Sequence, residues 1–189
     1  MLCAEDELGF GSSHTGIMIL DSDLEVGKKL SDIFNDWVLE GAILPNRGDL
    51  MNHLGLAREI AAIYGLALKE PEIIVEEGDM PITDVVTVAT DAVVCPLYTA
   101  RYITDIKVAP SPTWMQQRLL VCGMRPINNI VDITNYVTLE TGQPLHAFDF
   151  ENMDGGKLIV RSAKKNEVVE VLGGENFKLD PEVLVLADS

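Results

Sequence analysis

Leu50, Leu54, Ala57, Ala61 and Tyr64 recur at spacings of four, three, four and three, and no other feature of this sequence constrains its folding more. Side chains three and four apart stack on one side of an α-helix, so the pattern predicts a helix with one core-facing side. Asp49 stands where an N-cap belongs, and Gly65 where a C-terminal glycine can take a left-handed backbone. Such a helix needs an apolar surface to lie against. At 189 residues and 47% hydrophobic content the chain can supply that core, as one domain or two small ones.

Residues 69–81 combine Pro71, Pro81, Gly78 and a run of charges, the composition of a boundary. Ahead of it, Gly16-Ile17-Met18-Ile19-Leu20 reads as a short strand ended by the turn formers Asp21-Ser22-Asp23. Gly9-Phe10-Gly11-Ser12-Ser13 has the glycines of a phosphate-cradling loop, but no strand and helix frame it, so a plain turn is expected. Behind the boundary, Leu97 to Ile106 has strand composition. Ser111-Pro112 opens a helix through Trp114, Met115, Leu119 and Cys122 that stops at Gly123. A second helix runs from about Asn129 to Glu140, broken by Gly142 and kept from resuming by Pro144. Strands follow at Leu158 to Arg161, Val168 to Leu172, Phe177 to Leu179 and Val183 to Ala187, with a turn at Gly173-Gly174-Glu175. The expected class is α+β, with helices grouped before a mixed, mostly antiparallel sheet. There is no internal repeat and no low-complexity tract.

Thirty acidic against fourteen basic side chains give a net charge of −16, which repels phosphate and argues against a generic nucleic-acid binder. The charge is unevenly spread: residues 1–94 hold 18 acidic and 5 basic side chains, residues 95–189 hold 12 and 9. RNA contact is therefore expected only in the second half, where the same lysines and arginines also fit an ordinary solvated surface. Cys3, Cys95 and Cys122 are odd in number and widely spaced, with no C-x-x-C pair, so they read as reduced thiols and no zinc or other metal site is expected. No window of 18 apolar residues exists, and the first seven residues are acidic where a signal peptide is basic and then apolar. A cytoplasmic location with no membrane association is expected.

Three segments carry more than pattern. Leu44-Pro45-Asn46-Arg47 is followed by Leu54-Gly55-Leu56-Ala57-Arg58-Glu59; then come Val131-Asp132-Ile133-Thr134-Asn135-Tyr136-Val137 and Gly142-Gln143-Pro144-Leu145-His146-Ala147-Phe148-Asp149. Together, and with Trp114, Cys122-Gly123-Met124-Arg125 and Val183 to Asp188 in order, they resemble the beta subunits of bacterial phenylalanine tRNA ligases over nearly the whole chain. The resemblance implies the end of an oligonucleotide-binding domain at 1–38, a small α/β domain segment at 39–70, a linker at 71–82 and the first part of an α+β editing domain at 83–189. One departure stands in the early segment, where Gly48 to His53 replaces the family's proline, aspartate and cysteine or serine. A glycine-rich turn and a later glutamate complete the family's editing pocket beyond Ser189, so this stretch is expected to be an excised piece that folds without a complete editing activity. The resemblance further implies, for the complete enzyme, ATP and magnesium as cofactors. Its implied partners are the tRNA for phenylalanine and an alpha subunit in a tetramer of two alpha and two beta chains. No cofactor is implied for this stretch.

In that family, editing hydrolyses tyrosine wrongly esterified to the tRNA. A pocket holding a buried polar group for the extra hydroxyl penalises phenylalanine, which leaves that group unpaired. The resemblance puts His146 in the catalytic position, orienting the ester or its attacking water or accepting a proton. It puts Thr134, Asn135, Pro144 and Phe148 around the substrate: an amide for the amino or carbonyl group, a hydroxyl, a fixed backbone and an aromatic wall. Read as residues alone, Asn135 favours capping or bending a helix, and His146 favours a satisfied loop position. His14 and His53 read as structural. Ser12, Ser13 and Cys122 have no base partner at a meaningful spacing, which argues against a nucleophilic triad. The competing function is a non-catalytic module that docks the alpha subunit or supports the tRNA; convergence of Thr134, Asn135 and His146 on one cleft distinguishes the two.

Overall fold

The periodic segment forms a helix after Asn52, but Leu50 stays outside it and Tyr64 is 73% exposed, so the expected core-facing side is reduced to the half-buried Leu54, Ala57 and Ala61. A computed structural model of the chain describes residues 2–11, 13–20, 22, 24–91, 93–171 and 173–188. Its first α-helix, α1, is the short Leu30–Ile33, and α2 is His53–Tyr64. Asn52, not Asp49, caps α2: its side-chain oxygen accepts the Gly55 N–H at 2.7 Å. Asp49 instead sits in a 3-10 turn, Gly48–Leu50, whose Asp49 carbonyl lies so close to Gly55 that a Cβ there would meet it at 1.8 Å. Only glycine fits, which accounts for Leu54-Gly55-Leu56. Gly65 ends the helix with φ 64°.

The remaining elements follow as β1 Thr87–Thr90, α3 Thr113–Val121, α4 Asn129–Thr141, β2 Lys157–Ser162, β3 Val168–Glu170, β4 Asn176–Lys178 and β5 Leu184–Ala187. Both expected helices of the second half are present, α4 closing on Gly142 at φ 79°. The four expected strands there correspond to β2 through β5. Two expected strands do not form. Among the described residues, Gly16 to Leu20 makes one backbone bond, Met18 N–H to the Cys3 carbonyl at 2.8 Å, and no ladder. Leu97 to Ile106 is irregular and mostly exposed; the strand of this region lies earlier, at β1. Strand composition alone does not supply the partner edge a strand requires. Ser12, Asp21, Asp23 and Leu172 lie outside the described residues, and with them parts of the expected glycine-containing turn, the Asp21-Ser22-Asp23 turn and the strand ending at Leu172.

The chain divides into two compact units, one of Met1–Glu72 with Lys107–Ala147, the other of Ile73–Ile106 with Phe148–Ser189. The chain thus enters the second unit twice and returns to the first once. In the first unit Met115 and Leu119 of α3 are buried, and α4 packs on both α2 and α3. His53 Nδ1–H donates to the Leu139 carbonyl at 2.9 Å, tying the start of α2 to α4. In the second unit β2 is central: it pairs in parallel with β1 (Thr87 opposite Lys157) and antiparallel with β5 (Val160 opposite Leu186). Its alternate residues Leu158 and Val160 are buried, as a half-covered strand dictates. β3 and β4 form a separate antiparallel hairpin. The α+β class expected from the sequence is borne out, with two of the three strand pairings among the described residues antiparallel.

Candidate functional site

Helix α4 carries two of the predicted pocket residues, and the asparagines at its start hold it in place. Asn128 Oδ1 accepts the N–H groups of Ile130 (3.1 Å) and Val131 (3.0 Å), satisfying two donors that a helix N-terminus otherwise leaves open. Asn129 Oδ1 accepts the Ala109 N–H at 3.2 Å, and its Nδ2 donates to the Lys107 carbonyl at 2.9 Å. One turn on, Asp132 is fully buried and accepts from the Ser111 hydroxyl at 2.5 Å and the Ile127 N–H at 2.8 Å. A buried carboxylate is tolerable only when so satisfied. Asp132 therefore ties the chain on both sides of α3 to α4, a structural role for the acidic residue of the Val131-to-Val137 motif that sequence reading left unassigned.

Thr134 and Asn135 follow on the same helix, both half-buried. The Thr134 hydroxyl donates to the Val131 carbonyl at 2.7 Å, so its proton is used within the helix and only its lone pairs face outward chemistry. The Asn135 side chain makes no hydrogen bond among the described residues, and capping falls to Asn128 instead. Pro144 and His146 are exposed in the loop leaving α4. That loop is anchored at its root: the Thr138 hydroxyl reaches the Gln143 carbonyl (3.3 Å), and Gln143 N–H donates to the Thr141 hydroxyl (3.2 Å). Thr134, Asn135, Pro144 and His146 belong to the first unit, and Phe148, 49% exposed, opens the second stretch of the other.

Facing α4 from α3, Trp114 meets Tyr136 edge to face, with ring centroids 5.6 Å apart and planes at 89°. The Arg118 guanidinium lies 5.5 Å from the Trp114 ring centre and donates to the Tyr136 hydroxyl at 2.8 Å. Sequence reading placed Trp114 in the resemblance but gave this trio no role; the i, i+4 spacing of Trp114 and Arg118 is the signal that pairs them on one helix side. In the second unit, an open cleft of about 410 Å³ is lined by Lys165, Asn166, Lys178, Leu179, Asp180 and Pro181, none of them a predicted site residue. Among the described residues no group of three or more His, Cys, Asp or Glu side chains assembles that could hold a metal ion, and no helix is long and apolar enough to cross a membrane.

Residues 94–189 match the model of the B3/4 domain family. The chain belongs to the B3/4 domain family. Over its whole length it is also similar to proteins named phenylalanine–tRNA ligase beta subunit. It is 44% identical over 192 residues to that of Syntrophus aciditrophicus, 43% over 197 to that of Bacillus cereus and 41% over 190 to that of Dehalococcoides mccartyi. The resemblance read from the three motifs is thereby borne out. The chain covers 24%, 24% and 23% of those relatives, so it corresponds to about a quarter of a beta subunit.

The B3/4 stretch contains α3, α4, the trio on their shared side, the Asp132 network and four of the five strands. β1 precedes it yet pairs with its β2. Outside it, the early motif explains itself through one arginine: Arg47 bonds Asp49 through Nε (3.0 Å) and Nη2 (2.9 Å), and Glu59 of α2 through Nη1 (3.3 Å) and Nη2 (2.8 Å). These charge-assisted forks hold both carboxyls below, and the guanidinium above, their ordinary pKa values. Inside the B3/4 stretch, Arg161 forks onto Glu167 with two 2.9 Å bonds, and Glu167 also accepts the Lys164 N–H. The Arg161 guanidinium, then that N–H, hold the Glu167 carboxyl down at about 2.

Proposed function

We propose that this chain is part of the editing module of a phenylalanine–tRNA ligase beta subunit, acting to hydrolyse tyrosine wrongly esterified to the tRNA for phenylalanine. The observation that carries the reading is the joint match: a B3/4 domain over residues 94–189 inside a full-length similarity of 41–44% to proteins of that name. The geometry of α4 supports it. Asn135 offers an amide with no hydrogen bond among the described residues on a helix pinned at its start, and a prepositioned polar group of this kind orients a substrate without first being freed from a protein partner. In this reading Asn135 takes the amino or carbonyl group of the aminoacyl ester, and the Thr134 oxygen accepts a further bond. His146, exposed in its loop behind Pro144, orients the water or takes its proton. ATP and magnesium serve the synthetic site of the complete enzyme, with an alpha subunit as partner.

The test uses the complete two-subunit ligase. His146→Ala is expected to slow release of tyrosine from tyrosyl-tRNA by roughly 100-fold, the low end of what a positioned acid–base group contributes, with phenylalanine attachment retained. Asn135→Ala is expected to slow the same release while moving the unfolding free energy by no more than about 0.5 kcal/mol, because no described bond is lost. Equal loss of release and attachment would instead favour a docking role.

A further inference from the structure

Arg47, Arg101 and Arg161 each meet a carboxylate within ion-pair distance. Arg118, like Arg58 and Arg125, does not among the described residues. The Arg118 guanidinium donates to the Tyr136 hydroxyl and lies over the Trp114 ring, contacts that meet no carboxylate and leave most of its five donors open on a chain of net charge −16. Beside it, Trp114 is 51% exposed, with Tyr136 set edge to face against it. A buried aromatic pair would be core packing; here a flat, half-open ring stands next to an unpaired cation. A planar base recognises the first and a phosphate the second, and one nucleotide of single-stranded RNA carries both. Neither an apolar nor an acidic protein segment uses the two features so fully, since the first wastes the charge and the second the ring.

We propose that Trp114, Arg118 and Tyr136 form a stacking platform for one unpaired nucleotide of the tRNA end, the base packing against the exposed surface of the stacked Trp114–Arg118 pair and a phosphate taking the Arg118 donors that Tyr136 leaves open. Tyr136 is the residue after Asn135 on α4, so the platform sits within one helical turn of the side chains assigned to the ester. The inference rests on the editing reading and adds to it the part of the RNA that is gripped. Tyr136 has a positioning role: its hydroxyl holds the guanidinium beside the ring.

In the complete two-subunit ligase, Trp114→Leu is expected to raise KM for tyrosyl-tRNA in the release reaction about 10-fold with kcat within about twofold, the effect of losing one base stack. Trp114→Phe is expected to restore most of it. Arg118→Gln, an exposed change that leaves the core untouched, is expected to weaken binding of uncharged tRNA and reduce the slope of log affinity against log salt by about 1. An unchanged KM in Trp114→Leu, or an unchanged salt slope in Arg118→Gln, overturns the platform. So does loss of subunit assembly with tRNA affinity intact, which would make the trio a protein contact. The editing reading fails separately, if His146→Ala leaves release at its normal rate while the tRNA-binding changes still appear.

Discussion

Glu167 shows how much a single residue's surroundings decide. Its sequence neighbours, Lys164 and Lys165, suggest a solvated charge run, yet Arg161 reaches it from β2 with both ends of the fork, and both side chains are about three-quarters covered. The carboxyl is held at about 2 against an ordinary 4.5, so the folded chain binds its proton less readily than the unfolded one. Its contribution to stability is complete above 4.5 and is lost as pH falls from there through about 2. Urea midpoints of the chain and of Glu167→Gln, measured across that window, are expected to differ most at neutral pH and to converge in acid. A constant gap would show that the fork is not what holds the carboxyl down. The same contrast between type and setting separates Asp132 from Asn135. Both lie in one motif; the first spends its acceptors on Ser111 and Ile127, and the second keeps its amide uncommitted among the described residues.

At the scale of elements, the helices obey local rules closely and the strands do not. α4 is bounded by Asn128 and Gly142, one satisfying open N–H groups and the other taking the left-handed backbone. Asn128→Ala removes two bonds at the helix start and is expected to cost about 1 kcal/mol, lowering the melting temperature by roughly 2–4 °C. Calorimetry on the purified chain reads this directly; no shift would mean that the helix start is held by Asn129 and Asp132 without the cap. Helix ends were legible because a cap acts over three residues of sequence, although Asn52 rather than Asp49 does the work at α2, the choice being made by the close approach of Gly55 to the Asp49 carbonyl. Leu97 to Ile106 had the composition of a strand and found no edge to pair with, whereas Thr87–Thr90, less conspicuous in composition, pairs with Lys157–Val160.

For the whole molecule, the charge distribution bears on the proposed tRNA contact. The second half, with 9 basic against 12 acidic side chains, is the near-neutral part of a strongly acidic chain. Lys164→Glu with Lys165→Glu is expected to weaken tRNA binding by the complete enzyme and to make it less salt-dependent, while the same reversal at Lys28 and Lys29 leaves it unchanged. Equal effects from the two pairs would mean that net charge alone governs binding. What the sequence by itself determined was the helix periodicity, the glycine stops, the α+β class and the three motifs that carry its similarity to phenylalanine–tRNA ligase beta subunits, all properties of residues near one another along the chain. Only the tertiary structure decided that 107–147 joins the first unit while 73–106 joins the strands after Phe148. It also decided that β1 pairs with β2, that Asp132 is buried and satisfied, and that Trp114, Arg118 and Tyr136 meet. These depend on contacts between residues far apart in the chain, where the free energy comes from shared burial and paired hydrogen bonds that no local pattern encodes.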